Sequence, residues 1–248
     1  MDEIMKPDLR IYPDPEALNR AAAEEIAHLA RVAVAERGLV TVALSGGRTP
    51  RRLYRLLAAE YRDGIPWPQM HLFWGDERYV PPTDPQSNYC LAREALLDRV
   101  PIPVECVHPM PTHFPNAEDA ARDYEATLRA YFAGSGPTFD LILLGMGAEG
   151  HTASLFPGSP ALAEHEHWVV AAQAPAQPPL RLSLTLPAIN RARNAVFLIS
   201  GSEKVKAVQS ILKNTGQAAT RYPAALVHPQ ERLIWFVDRA ALGSETNK

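Results

Sequence analysis

"LILLGMGAEGHTASLFPGS", Leu141–Ser159, is the stretch from which the rest of the chain is read. Its first four residues are apolar throughout, as in a strand covered on both faces. Gly145-x-Gly147-x-x-Gly150 then follows, with the spacing of a dinucleotide-binding turn. Such a turn must open a long helix whose N-terminus holds a pyrophosphate. Here Pro157 comes six residues after His151, leaving room for little more than one helical turn. The motif also lies mid-chain rather than in the first strand–helix unit. A nicotinamide or flavin site is therefore not expected. The glycines read instead as a tight bend that brings backbone close to a ligand. His151 stands at the end of this strand, and a turn histidine bonded to backbone is the plain alternative to a catalytic one.

Outward from this strand, buried-looking runs alternate with helical patterns. "LVTVAL" (Leu39–Leu44), "MHLFW" (Met70–Trp74), "FDLILLGM", "WVVAA", "LRLSLTL", "AVFLIS" and "LIWFVD" read as strands. The first helix has Asp14 as cap, Pro15 in its first turn and Gly38 at its end, with Leu18, Ala22, Ile26, Leu29 and Ala33 on one face. Thr49-Pro50 opens a second helix, and Ser87, Asn116 and Ser202 are candidate caps of later ones. The pattern predicts an α/β fold: a mainly parallel, Rossmann-like sheet with helices on both faces, built as one domain over residues 1–248. In such sheets ligands bind beyond the carboxyl ends of the strands.

Those ends carry the chemistry. Ser45-Gly46-Gly47, followed by Thr49 at a helix start, resembles a simple phosphate cradle, without Walker spacing. Asp76-Glu77-Arg78 ends a buried strand in three charges, which are costly to bury without partners. Arg78 offers a fork of donors to a carbonyl, carboxylate or phosphate, and Asp76 could orient it or a histidine. Arg181 opens an otherwise apolar strand. Lys204 sits in the first turn of a helix, against the dipole, where a bound phosphate would reverse the unfavourable sign. A strand-edge salt bridge and a solvated side chain are the plain alternatives for these two.

Composition narrows the classes. With 46% hydrophobic and 21% charged residues the chain is an ordinary globular sequence, and a formal charge of −3 gives no reason to expect nucleic acid or an anionic membrane. No apolar run approaches the roughly 20 residues of a bilayer span. The start, MDEIMKPDLR, lacks the apolar core of a secretory signal, and Cys90 and Cys106 have no motif spacing. A cytoplasmic protein with free thiols is expected. HEH (His165–His167) has no third ligand nearby, and G-x-S-x-G, H-E-x-x-H and C-x-x-C are absent, so neither a metal nor a covalent serine or cysteine nucleophile is expected.

In order along the chain, "LSGGRTPRRLY", "FWGDERYVPPTDPQSNY", "DLILLGMGAEGHTASLFPGS", "LRLSLTLPAINRARNAVFLISGSEKVKAV" and "YPAALVHP" resemble the 6-phosphogluconolactonases, relatives of the glucosamine-6-phosphate deaminases that share a fold with ribose-5-phosphate isomerases. The resemblance covers nearly the whole chain, and "GHTASLFPG" is its most specific part. It implies cofactor-free, metal-free hydrolysis of 6-phospho-D-glucono-1,5-lactone to 6-phosphogluconate in the oxidative pentose phosphate pathway. Ser45, Gly46, Gly47, Thr49, Arg181 and Lys204 would then line the phosphate pocket. His151, Arg78 and Asp76 would lie by the lactone, with Gly145, Gly147, Glu149 and Gly150 in the adjoining loop. Where the family usually has Pro-Asp, this chain has Ala148-Glu149, which keeps the charge one methylene further out.

On this reading His151 is general base to a water, since an ordinary imidazole titrates near neutral pH. Arg78 and backbone N–H groups of the Gly145–Gly150 loop would stabilise the oxyanion. The only expected partner is the phosphorylated sugar lactone, with the protein a monomer or weak homo-oligomer. Two alternatives remain: a glucosamine-6-phosphate deaminase or sugar-phosphate isomerase, for which Asp76 could be the base, and a non-catalytic sugar-phosphate sensor. "GHTASLFPG", rather than a "GHIAFNEPG" type of loop, favours the lactonase.

Overall fold

The computed structural model describes residues 5–133, 136–213 and 221–243. Six strands form one all-parallel sheet. They are β1 (Asp8–Tyr12), β2 (Val40–Leu44), β3 (Met70–Trp74), β5 (Leu141–Gly145), β8 (Asn194–Ile199) and β9 (Arg232–Asp238), in the order β1-β9-β8-β5-β2-β3. Every residue of β2 and of β8 is buried. Successive side chains on a strand point to opposite faces, so both faces of the sheet are covered. Helix α1 (Pro15–Arg37) packs on the sheet and against α2 (Arg48–Glu60). Leu18, Ala22, Ile26 and Ala33 are buried on α1, while Leu29 is only partly so.

Two strands read as part of the main sheet lie elsewhere. β6 (Val169–Gln173) and β7 (Leu180–Leu184) pair antiparallel with β4 (Asp76–Arg78) in a separate sheet of order β4-β7-β6. Gly75 makes the switch. Its N–H donates to Leu44 O of β2 (2.8 Å), and its carbonyl accepts from Leu184 N of β7 (2.8 Å). The chain thus leaves one sheet and enters the other within one residue. Helix α4 (Ala117–Tyr131) packs on β6 and β7. The Glu125 carboxylate accepts from Trp168 N at 2.9 Å, tying α4 to the residue before β6.

Most capping expectations hold. Asp14 Oδ1 accepts from Glu16 N (2.9 Å) and Ala17 N (2.8 Å), and Gly38 closes α1 at φ 80°. Ser87 caps α3 (Asn88–Ala95) and Asn116 caps α4. Ser202 is not a cap: Gly201 holds that position, and Ser202–Lys204 form a tight 3₁₀ turn before α6 (Val205–Leu212). Helix α2 begins at Arg48, one residue before Thr49, with Gly47 ahead of it. Cys90 and Cys106 are both buried and unpaired. Among the described residues no helix is long and apolar enough to cross a membrane.

Candidate active site

A cleft of about 450 Å³ opens at the carboxyl ends of β2, β3 and β5, with β4 and β7 forming a further wall. Ser45, Gly46, Gly47, Asp76, Arg78, Gly145, Gly147, Glu149, His151, Arg181 and Lys204 line it. Residues 45 to 204 are thus brought to one place, although no two of the contributing segments are neighbours in sequence. Thr49 and Gly150 lie outside the wall. Thr49 follows the first residue of α2, while Gly150, at φ 78°, packs on Tyr222.

His151 is held on several sides. Its Nδ1 lies 2.8 Å from Glu149 Oε1. A carboxylate only accepts, so Nδ1 carries the proton and Nε2 has the free lone pair. Burial alone would raise the Glu149 carboxyl, but its own backbone N–H, the His151 ring and the Lys204 charge outweigh that and hold it below the usual range. The pair therefore persists as pH falls to ordinary carboxylate values. Lys204, which follows β8, is felt electrostatically at Glu149, so the base and this cation share one field.

Gly147 lies against the Nδ1–Cε1 side of the imidazole, where a Cβ would collide with the ring. We expect Gly147→Ala to displace His151 and lower kcat about tenfold, with a melting temperature close to wild type; kcat measured beside a thermal melt checks this. The same loop limits one expectation. Gly147 N donates to His151 O (2.9 Å) and Gly150 N to Gly147 O (3.0 Å), so these two amides hold the turn and are not free oxyanion donors.

The Ser45–Gly47 turn, expected to cradle a phosphate, is also more constrained than the sequence suggests. Ser45 N donates to the Tyr54 hydroxyl (3.1 Å), which in turn donates to Ser45 O (2.7 Å). The Ser45 amide is therefore occupied, and Gly46 and Gly47 line the cleft beside it at the head of α2. Burial pushes the Tyr54 phenol well up, so it stays a neutral clamp. Removing the hydroxyl in Tyr54→Phe leaves both backbone groups of Ser45 unmatched. We expect KM to rise about fivefold with kcat unchanged, read from initial rates.

Arg78 and Arg181 stand directly opposite each other in the β4–β7 pair. Like charges in that arrangement repel. Burial, and then the Arg78 charge, lower the Arg181 guanidinium, against Asp76 and Glu77, which favour its charged form. Nε of each arginine has no partner, and neither arginine has a carboxylate within ion-pair distance among the described residues. The Asp76 carboxylate is oriented by one bond on each oxygen, from Ser154 Oγ (2.8 Å) and Asn88 Nδ2 (3.3 Å). Glu77 turns away from the cleft. It accepts from Arg78 N, Asn88 N, Tyr89 N and Ser87 Oγ, while burial pushes its carboxyl up.

Two arginines, a lysine and a carboxylate-held imidazole thus lie in one cleft. The family model described as "Glucosamine-6-phosphate isomerases/6-phosphogluconolactonase" matches residues 13–235. The chain belongs to this family. It is 48% identical over 212 residues to a 6-phosphogluconolactonase of Synechocystis sp., covering 84% of this chain and 86% of that one. A Mycobacterium tuberculosis protein of the same name is 42% identical over 244 residues, with 96% and 98% covered. The crystal structure of 6-phosphogluconolactonase from Thermotoga maritima superposes with a TM-score of 0.82 at 33% identity, covering 94% and 100%.

Within this glucosamine-6-phosphate isomerase/6-phosphogluconolactonase architecture, the cleft contains residues that sequence reasoning passed over. Asn88 was legible only as a helix residue after its cap, yet its side chain fills the space a Cβ on Gly46 would take. Ser154 lies in the quoted loop without a distinctive neighbour. Pro175, Ala176 and Gln177, at the tip between β6 and β7, overhang the cleft, and nothing local in the sequence marks them.

Proposed function

We propose that this protein hydrolyses 6-phospho-D-glucono-1,5-lactone to 6-phospho-D-gluconate, a step of the oxidative pentose phosphate pathway. The observation that carries this reading is the convergence in one cleft of the Glu149–His151 pair with Arg78, Arg181 and Lys204. The phosphate sits between Arg78 and Arg181, with Lys204, Ser45, Gly46 and Gly47 completing its surroundings. Arg78 thus shares the phosphate with Arg181 rather than acting on the lactone alone: the two residues are paired across β4 and β7, both line the cleft, and Gln86 O accepts from Arg78 Nη1 (2.7 Å).

His151 Nε2 removes a proton from a water as that water attacks the lactone carbonyl. Glu149 holds the ring and stabilises the imidazolium that forms. The carbonyl oxygen becomes anionic within the field of three cations, which favours the tetrahedral state. When the bond from C1 to the ring oxygen breaks, His151 returns its proton to that oxygen. The product carboxylic acid then ionises, releasing one proton per turnover.

A sugar-phosphate isomerase or aminosugar-phosphate deaminase would use Asp76 as a base for proton transfer between carbons. Here each Asp76 carboxylate oxygen accepts one hydrogen bond, from Ser154 or Asn88, and keeps a further lone pair toward the cleft, so a comparison of substrates decides between the two readings. The test mixes the protein with freshly oxidised glucose 6-phosphate and follows acid release, with glucosamine 6-phosphate and ribose 5-phosphate in parallel. Turnover of the lactone alone is expected. Turnover of either other substrate at a higher kcat/KM, or binding with no turnover, would overturn the assignment.

A further inference from the structure

We propose that Phe156 is a positioning residue for the reaction: its ring, set against His151, favours the imidazolium that exists only after the attacking water has given up its proton. The proposal rests on the lactonase reading for its kinetic consequence, but the contact can also be read without turnover.

The loop is built to make this contact. After His151 the chain turns back on itself. Thr152 Oγ1 donates to Gly145 O at the end of β5 (2.9 Å), and Leu155 N donates to Thr152 O (3.0 Å). Ala153 takes a left-handed conformation, φ 48°, which an alanine adopts only at a cost. The turn brings Phe156 onto the histidine five residues before it. Their ring centroids lie 4.4 Å apart, inclined at 37°. Phe156 is buried and lines the cleft. The imidazole is thus fixed by Glu149 at Nδ1, by Gly147 along its Nδ1–Cε1 side and by an aromatic ring, with Nε2 left for water.

An aromatic face attracts a cation within about 6 Å of its centre and has little such attraction for a neutral ring. His151 starts neutral and becomes cationic as the water attacks. The contact therefore strengthens along the reaction coordinate, and only such interactions raise kcat. A leucine of similar bulk fills the space but carries no ring quadrupole. The other charges around the imidazole are Glu149 on the same loop, Asp76 and Arg78 on β4, Arg181 on β7 and Lys204 after β8, and a change at Phe156 leaves all of them in place.

In Phe156→Leu we expect kcat to fall about fivefold, with KM within about twofold of wild type. The acid limb of the kcat/KM profile should move to lower pH by about half a unit, because the protonated ring has lost a stabilising neighbour. Phe156→Tyr should restore both. A purely structural role would lower the plateau and leave the limb where it was. Fluorinated phenylalanines at position 156, from one to five fluorines, keep the shape while draining the ring's charge, so they guard against a leucine variant that folds poorly. A stepwise fall in kcat supports the proposal; wild-type kcat and an unmoved limb with five fluorines overturn it. NMR titration of His151 in wild type and Phe156→Leu reads the same contact without substrate. A downward displacement of the midpoint supports the proposal even if the lactone is not turned over, and an unchanged midpoint refutes it even if the lactone is.

Discussion

We expect His151→Ala to lower kcat about a thousandfold and to leave KM nearly unchanged. General acid–base catalysis by one positioned side chain contributes on the order of 10² to 10⁴, and in the proposed mechanism His151 acts at two moments, taking the proton from water and returning it to the leaving oxygen. The upper part of that range is therefore expected. Substrate affinity should survive, because on the proposed reading the phosphate is held by Arg78, Arg181 and Lys204, which line the cleft from other segments. The variant should also fold. The imidazole is partly exposed, and its loss leaves only Glu149, itself about half exposed, without its partner. Single-turnover and steady-state rates on fresh lactone, corrected for spontaneous hydrolysis, check this. A kcat within tenfold of wild type would remove His151 from the proton transfers.

The second large effect has opposite signs in two measurements. Arg181→Met should raise KM about 100-fold, on the order of 3 kcal/mol of lost anion binding. Yet it should raise the melting temperature of the ligand-free protein. Arg181 is only 7% exposed, faces Arg78 across the strand pair, and has its guanidinium lowered by burial and by that neighbour. The free protein thus holds two repelling charges that a phosphate would reconcile. Replacing a poorly compensated buried ion by an apolar side chain of similar volume is often neutral or stabilising. Each kcal/mol gained moves the melting temperature by about 2–4 °C for a chain of this size. Wild type should be stabilised by phosphogluconate by about 2.7 kcal/mol at a hundredfold excess over Kd, and the variant hardly at all under the same conditions. A variant with unchanged KM would place the phosphate elsewhere.

The strand ends were readable because each buried run stops at glycine or charge, and a parallel sheet puts all such ends on one side. That reasoning located His151, Arg78 and Lys204, while Arg181 stood out as a charge opening an apolar strand, and neither clue stated how they face one another. The direct opposition of Arg78 and Arg181 follows from antiparallel register between segments about a hundred residues apart, and no local pattern encodes it. For the same reason β6 and β7 looked like members of the main sheet. Their apolar runs are the same whether their partners lie parallel or antiparallel. β1 went unread because it is a short strand that ends the sheet among the described residues, and its neighbour β9 is more than two hundred residues away in the sequence. The Tyr54 clamp on Ser45 and the Asn88 side chain against Gly46 were invisible for another reason. Both depend on which way a helix rolls against a loop, a matter of tertiary packing rather than propensity.

The pairing of β1 with β9 has a consequence for how the molecule is made. During synthesis residues 8–12 are made long before 232–238 and must wait for them to gain this neighbour. Until then β8 also presents an open flank, since β9 is the strand that slots between them. The nascent protein therefore carries an incomplete sheet until β9 is made, and that strand is the keystone. A ribosome stalled short of Arg232 would hold a polypeptide with two unsatisfied edges, the kind of species chaperones engage.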